Sequence, residues 1–278
     1  MYINQTTFRR KKGSTMRRLV FGVTFALFTF YCLAQTSDWF SGGGRRRREP
    51  VRWEAPAVGP PTNEYTFARL VYSGGRGWNY DSWTTDAPKA DVTFVAGIKR
   101  LTNLDVRDSA FFIPLTSPEI FKYPFLYAVE VGYLQLSDEE AATLREYLLR
   151  GGFLVVDDFH GSIEWANWEE QVRKVFPEGK IEDLPLSHPI FHCFFDLREL
   201  IQVPGIQYLY SNRPYERDGY IPHYRGVKDE NGRLMIVINF NSDIGDAWEW
   251  ADYPAYPEKW SSTAYRLGIN YIVYAMSH

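Results

Sequence analysis

Residues 136–161 read LSDEEAATLREYLLRGGFLVVDDFHG. This stretch decides the fold class. Ser137 followed three residues later by Glu140 has the spacing of a capping box, in which side chains satisfy the orphan amides at a helix start. Asp138, Glu139 and Glu140 in the first turn and Arg150 at the far end both suit the helix dipole. Ala141, Leu144 and Leu148 form one apolar stripe, and Gly151 is the expected stop. Phe153 to Val156 then run apolar without alternation, the mark of a strand covered on both faces in a parallel sheet. Polarity returns at Asp157 and Asp158. Open α/β sheets bind ligands beyond the carboxyl ends of their strands, so the turn 157–161 is the first place to look for a site.

Outward from this unit the pattern repeats. Strands are predicted over 67–72, 111–115, 125–131, 224–228 and 234–239, with helices over 87–101, 163–176 and 263–276. In the first helix Val92, Val95, Ile98 and Leu101 are expected to face inward. Asn231-Gly232 is the strongest short hairpin signal available. The turn Ser73-Gly74-Gly75-Arg76-Gly77 lacks the glycine spacing of a dinucleotide fingerprint and reads as a strand-to-loop turn. Strands alternating with helices and a late hairpin predict a three-layer α/β sandwich. Its sheet should be mostly parallel and doubly wound, with a late antiparallel hairpin.

The first 34 of the 278 residues read differently from the rest. Met16-Arg17-Arg18, an apolar run from Leu19 to Leu33 and a small residue at Ala34 have the order of a secretory signal peptide. Cleavage there would export the protein to the periplasm or beyond. The alternative is a retained N-terminal membrane anchor, for which the run is short of the roughly 20 residues a bilayer requires. Residues 35–64, with Gly42 to Gly44, Arg45 to Arg48 and four prolines, read as a tether. Residues 65–278 are the size of one large domain. Without the leader, 25 basic side chains face 34 acidic ones, a net charge of −9 that argues against nucleic acid as a partner. Cys32 departs with the leader, which leaves Cys193 alone and excludes an intrachain disulfide.

With these residues on the page, the chain resembles a bacterial domain of unknown function, the family numbered four-one-five-nine. The likeness rests on the quoted stretch, on FARLVYSGG at 67–75, HPIF at 188–191 and AYRLGINYIVYAM at 264–276. That family is similar to the class I glutamine amidotransferase-like fold, close to trehalose-utilisation-type domains. Some relatives are fused to membrane-anchored von Willebrand-type modules, so the resemblance implies work in cell-envelope assembly. True amidotransferases carry a cysteine on a tight elbow after a strand. Here the segment most like that elbow, 152–161, offers Asp157, Asp158 and His160 but no thiol. Cys193 sits among aromatics, the setting of an inert core residue. A functional glutaminase is not expected.

The remaining chemistry lies in two acidic clusters. Asp157, Asp158 and His160 follow one strand, and Asp243, Asp246 and Glu249 follow another. If the strand ends are neighbours, these groups converge as a metal or acid–base site requires, and His188 could join them. Asp243 and Asp246 lack the alternating spacing of an EF-hand. Trp78, Tyr80 and Trp83 in the first loop, with Trp248, Trp250, Tyr253 and Tyr256 in the last, would suit a glycan or peptide ligand. The leading expectation is an exported, non-catalytic ligand-binding or assembly domain with an envelope or membrane-anchored partner. The alternative is a hydrolase, metal-assisted or not, that uses the acids at the strand ends. The sequence leaves the cofactor, and whether any metal binds, undetermined.

Overall fold

The computed structural model describes residues 63–74 and 81–278. The leader, most of the tether, Gly75 to Gly77, Trp78 and Tyr80 lie outside the described residues. Among the described residues no helix is long and apolar enough to cross a membrane.

Strands β1 (Ala68–Val71), β2 (Phe111–Pro114), β3 (Phe125–Val129), β4 (Phe153–Phe159), β5 (Ile181–Asp183), β6 (His223–Lys228) and β7 (Leu234–Phe240) form one sheet in the order β2-β1-β3-β4-β7-β6-β5. The first five strands of that order are parallel, and β6 and β5 add antiparallel pairings at one edge. The helices are α1 (Lys89–Leu101), α2 (Asp138–Leu149), α3 (Gly161–Val175), α4 (Tyr208–Ser211), α5 (Ile244–Glu249) and α6 (Glu258–Ser277).

Alternation along the strands builds two cores. Phe125, Tyr127, Val129, Phe153 and Val155 pack on the face covered by α1, α5 and α6. Leu126, Ala128, Leu154 and Val156 pack on the face covered by α2 and α3. This is why the strands read as unbroken apolar runs: both faces are buried. The expected capping box is present, with Glu140 N donating to Ser137 Oγ at 3.2 Å and Ser137 N to Glu140 Oε2 at 2.9 Å. Gly232 turns the β6–β7 hairpin at φ +84°.

Three expectations need correction. In α1 the inward residues are Phe94, Val95 and Ile98, whereas Val92 and Leu101 are exposed. The 125–131 strand ends at Val129, because Glu130 adopts a left-handed conformation and a single 3-10 turn follows. Conversely, β4 does not stop where polarity begins but continues through the buried Asp157, Asp158 and Phe159.

That extension contains a one-residue bulge. Val156 is opposite Ile238 and Phe159 opposite Phe240, so three steps in β4 match two in β7. Asp158 takes up the extra residue at φ +53°. Its amide donates to Ser242 O at 3.1 Å instead of continuing the ladder. Phe159 thereby returns to the core beneath α2 and α3, which strict alternation would deny it.

Candidate functional site

The parallel strands diverge at β1 and β3: one connection leads outward from β1 to β2, and the chain then returns to the other side. The crevice beyond such a reversal is where open α/β sheets place their ligands. Four non-glycine residues at or near this edge adopt left-handed backbone: Asp86 (φ +62°), Glu130 (+57°), Asp158 (+53°) and Asn241 (+60°). Each conformation is unfavourable for a side chain with a Cβ, and such strain concentrates at functional sites.

The two acidic clusters meet here, joined by a residue that sequence reasoning missed. Asp86, Asp158 and Asp243 each present a carboxylate oxygen within 4.8 Å of the others, and all three are buried. Asp86 also meets Asp246 and Glu249 within the same distance, and Asp158 meets His160 and Glu216. Asp86 lies between a 3-10 turn and α1. Its loop is held from below by Arg69 of β1, whose Nη1 donates to Trp83 O at 3.1 Å and Thr85 O at 2.8 Å. The one signal in the sequence was an aspartate in a loop two residues before Pro88.

Each carboxylate is held by local backbone. Asp243 is the N-cap of α5, and its Oδ1 accepts from Asp246 N at 2.7 Å. Asp246 Oδ2 accepts from Ile206 N at 2.7 Å and its Oδ1 from Trp250 Nε1 at 3.1 Å. His160 Nε2 lies 3.2 Å from Asp158 Oδ1 and 3.9 Å from Glu216 Oε1, and its Nδ1 is buried without a hydrogen-bond partner. Asp86 Oδ2 is likewise buried and unpartnered.

Burial and mutual repulsion govern the charges. Burial, then Asp246 and Asp158, hold Asp86 well above the usual carboxylate range. Burial, then Asp158 and Asp246, do the same to Asp243, and burial raises Asp246 as well. Burial works against a charged His160, but the hydrogen bond and charge of Asp158, with Glu216 and Glu164, outweigh it and raise its pKa.

Asp157 plays a different part from its neighbour. Its Oδ2 accepts from Tyr127 Oη at 2.9 Å, Ile244 N at 2.9 Å and Gly245 N at 3.0 Å, and its Oδ1 from Asn239 Nδ2 at 3.2 Å. It caps α5 from inside the sheet. Burial and Asp158 push its pKa to about 7 against these donors. Its carboxylate has no free face for a ligand.

His188 does not join the cluster. It is the N-cap of a 3-10 turn, its Nδ1 accepting from Ile190 N at 3.3 Å. Its ring lies 6.0 Å from Tyr274, which in turn packs on Phe153 at the amino end of β4. The loop after β5 therefore leaves His188 at the wrong edge of the sheet. The aromatic residues also divide. Trp248 stacks on Phe94 at 3.9 Å within the core, and Tyr256 is buried with its hydroxyl on Pro204 O at 2.6 Å. Trp250 and Tyr253 remain partly exposed.

Nor do the acids line an open cleft among the described residues. Segment 203–222 lies over them: a Cβ on Gly205 would stand 2.5 Å from Asp243 Oδ2 and 2.7 Å from Asp246 Oδ2. From the same segment Glu216 approaches His160, and Arg217 pairs with Glu164 at 2.7 Å. A hollow of about 410 Å³ opens outside this cover, lined by Gly161, Ser162, Trp165, Asp218, Tyr220 and His223 among others. A larger groove of about 1250 Å³, between α2, α3 and the β6–β7 turn, is lined by none of the acids of the cluster.

Residues 66–276 match the family described as a domain of unknown function (DUF4159), and the chain belongs to it. No curated protein matches the chain.

Proposed function

We propose that this chain is an exported, non-catalytic binding domain of amidotransferase-like α/β fold, which recognises a protein partner in the cell envelope. The parallel strand order, with β1 inside β2 and β3 next to β1, supports the fold assignment. The observation that carries the function is the outer surface of segment 203–222. Tyr220 and Ile221 are 62% and 64% exposed there, and Ile163 is 80% exposed one residue beyond Ser162, whose amide donates to Asp218. Apolar groups held in solvent at the rim of a hollow mark an interaction surface rather than a core. The Arg45 to Arg48 run would hold the domain near anionic headgroups.

A photo-crosslinking side chain placed at Ile221 of the full chain, in its native host, tests this. One envelope protein should be captured, and Ile163→Asp should abolish the capture. Absence of any adduct, or capture unaffected by Ile163→Asp, overturns the reading. Recovery of a protein that begins at Gln35 would establish the export step, and a full-length cytoplasmic product would sink it.

The hydrolase reading is favoured by one observation, the hydrogen bond between His160 and Asp158 beside raised carboxyls. It requires segment 203–222 to open. Turnover of chromogenic ester, phosphate or glycoside substrates that vanishes in Asp158→Asn would replace the assembly reading with this one.

A further inference from the structure

We propose that Asp86, Asp158 and Asp243 together bind one hard divalent cation of the calcium, magnesium or manganese class, enclosed at the carboxyl edge of the sheet. Three carboxylate oxygens within 4.8 Å of one another can all reach a single ion at the roughly 2.0–2.6 Å typical of such cations. An all-oxygen set selects them over zinc or copper, which prefer nitrogen and sulfur.

Two observations separate this cluster from an ordinary acidic patch. The first is burial: Asp86, Asp158 and Asp243 retain only 4%, 7% and 3% of their exposure, so bulk solvent neither solvates the carboxylates nor screens their repulsion. The second is Asp86 Oδ2, which is buried, has no hydrogen-bond partner and belongs to a residue that faces both acidic groups. A lone pair held in that position needs a proton or a cation. The charge of Arg69 reaches Asp86, but its ion pair is with Asp91 at 2.8 Å, and Arg217 pairs with Glu164 at 2.7 Å, so no basic side chain among the described residues is hydrogen-bonded to Asp86 or Asp243. His160 is bound to Asp158 Oδ1, where it orients a ligand carboxylate, as groups behind a metal's own ligands commonly do.

The surroundings have the shape of a cradle. Gly205 lets the backbone approach the carboxylates of Asp243 and Asp246, and Gly245 does so for Asp86, where a Cβ would stand 2.7 Å from Oδ2. Closure by segment 203–222 suits an ion, which needs no wide entrance, and not a glycan. Nothing in this inference depends on the envelope partner.

The test uses the full chain stripped with chelator and titrated calorimetrically with Ca²⁺, Mn²⁺ and Mg²⁺ separately. One equivalent of at least one of these should bind with a dissociation constant below 1 mM, a threshold set by the weakest natural calcium sites, at about 10⁻⁴–10⁻³ M. Asp86→Asn and Asp243→Asn should each weaken that binding at least about tenfold, the size of effect expected when one carboxylate ligand is lost. Should both variants fail to fold, terbium luminescence sensitised by Tyr127 and Trp248 in the wild-type chain replaces them, and Ca²⁺ should quench it. No stoichiometric binding and no sensitised emission overturn the proposal. So does binding that survives both substitutions undiminished.

Discussion

Arg69, in the middle of β1, donates through Nε to Asp91 Oδ1 of α1 at 2.8 Å, and neither side chain reaches solvent. The same guanidinium holds the carbonyls of Trp83 and Thr85. One buried ion pair thus fastens a helix to the sheet and also sets the loop that carries Asp86. Asp91→Ala leaves the guanidinium uncompensated and should cost about 3–5 kcal/mol. The double change Arg69→Met, Asp91→Leu removes the unpaired charge and should cost less, although it also leaves the carbonyls of Trp83 and Thr85 without their donor. Denaturant unfolding of the two variants checks this. Equal losses would show that the pair acts through packing alone.

Asp157→Asn should destabilise the domain by about 2–3 kcal/mol despite the near-identical shape. The Asp157 carboxylate accepts from Tyr127, Asn239, Ile244 and Gly245. An amide presents an NH₂ to at least one of those donors, leaving it buried and unpaired. Urea titration measures the change. A loss under about 0.5 kcal/mol would mean that the proton already sits on this acid.

His188 gives a pH dependence of defined sign. Burial, with Lys228 and His278, lowers its pKa, so the folded state favours the neutral ring that accepts from Ile190 N. A lowered histidine contributes stability above its unfolded value of about 6.5, and that contribution is lost as pH falls through the folded value. The ring is partly exposed, so the loss should stay well under the roughly 1 kcal/mol of a full helix cap. His188→Asn keeps a capping acceptor and should flatten this part of the profile, measured from pH 7.5 to 5. An unchanged slope would assign it to other groups.

Cys193→Ser should change stability by less than about 1 kcal/mol, since a hydroxyl can keep the bond that Sγ makes to Asn270 O at 3.2 Å. Burial raises the thiol's pKa, so alkylation of the folded protein should be slow. Rapid modification at neutral pH would reopen a nucleophilic role.

The unit from Ser137 to Val156 was legible because each of its signals is local: a capping box, a helical stripe, a glycine stop and an apolar run. The carboxyl edge was legible in part. Asp158, Asp243 and Asp246 could be placed near one another, since they follow strands that the pattern revealed and that turn out to be paired. Asp86 could not, because its position depends on Arg69 holding a loop from 14 and 16 residues away. His188 was misplaced because a histidine before proline serves a cap as readily as a ligand site. Asp157 and Asp158 are adjacent and chemically identical. Only the bulge separates a buried anchor from a residue facing the cluster, and no sequence period shows a bulge of one residue.

That extra residue in β4 keeps the chemistry of the edge apart from the integrity of the domain. Position 158 is held at φ +53°, a conformation glycine accepts without strain. Asp158→Gly would keep the turn and the return of Phe159 to its core, and remove the carboxylate with its hydrogen bond to His160. Deleting the residue would leave two steps in β4 against two in β7, a regular ladder in which Phe159 still faces the core beneath α2 and α3. A lineage built on this scaffold could therefore discard the carboxylate at position 158, by exchange or by loss of the residue, and keep Phe159 in its core.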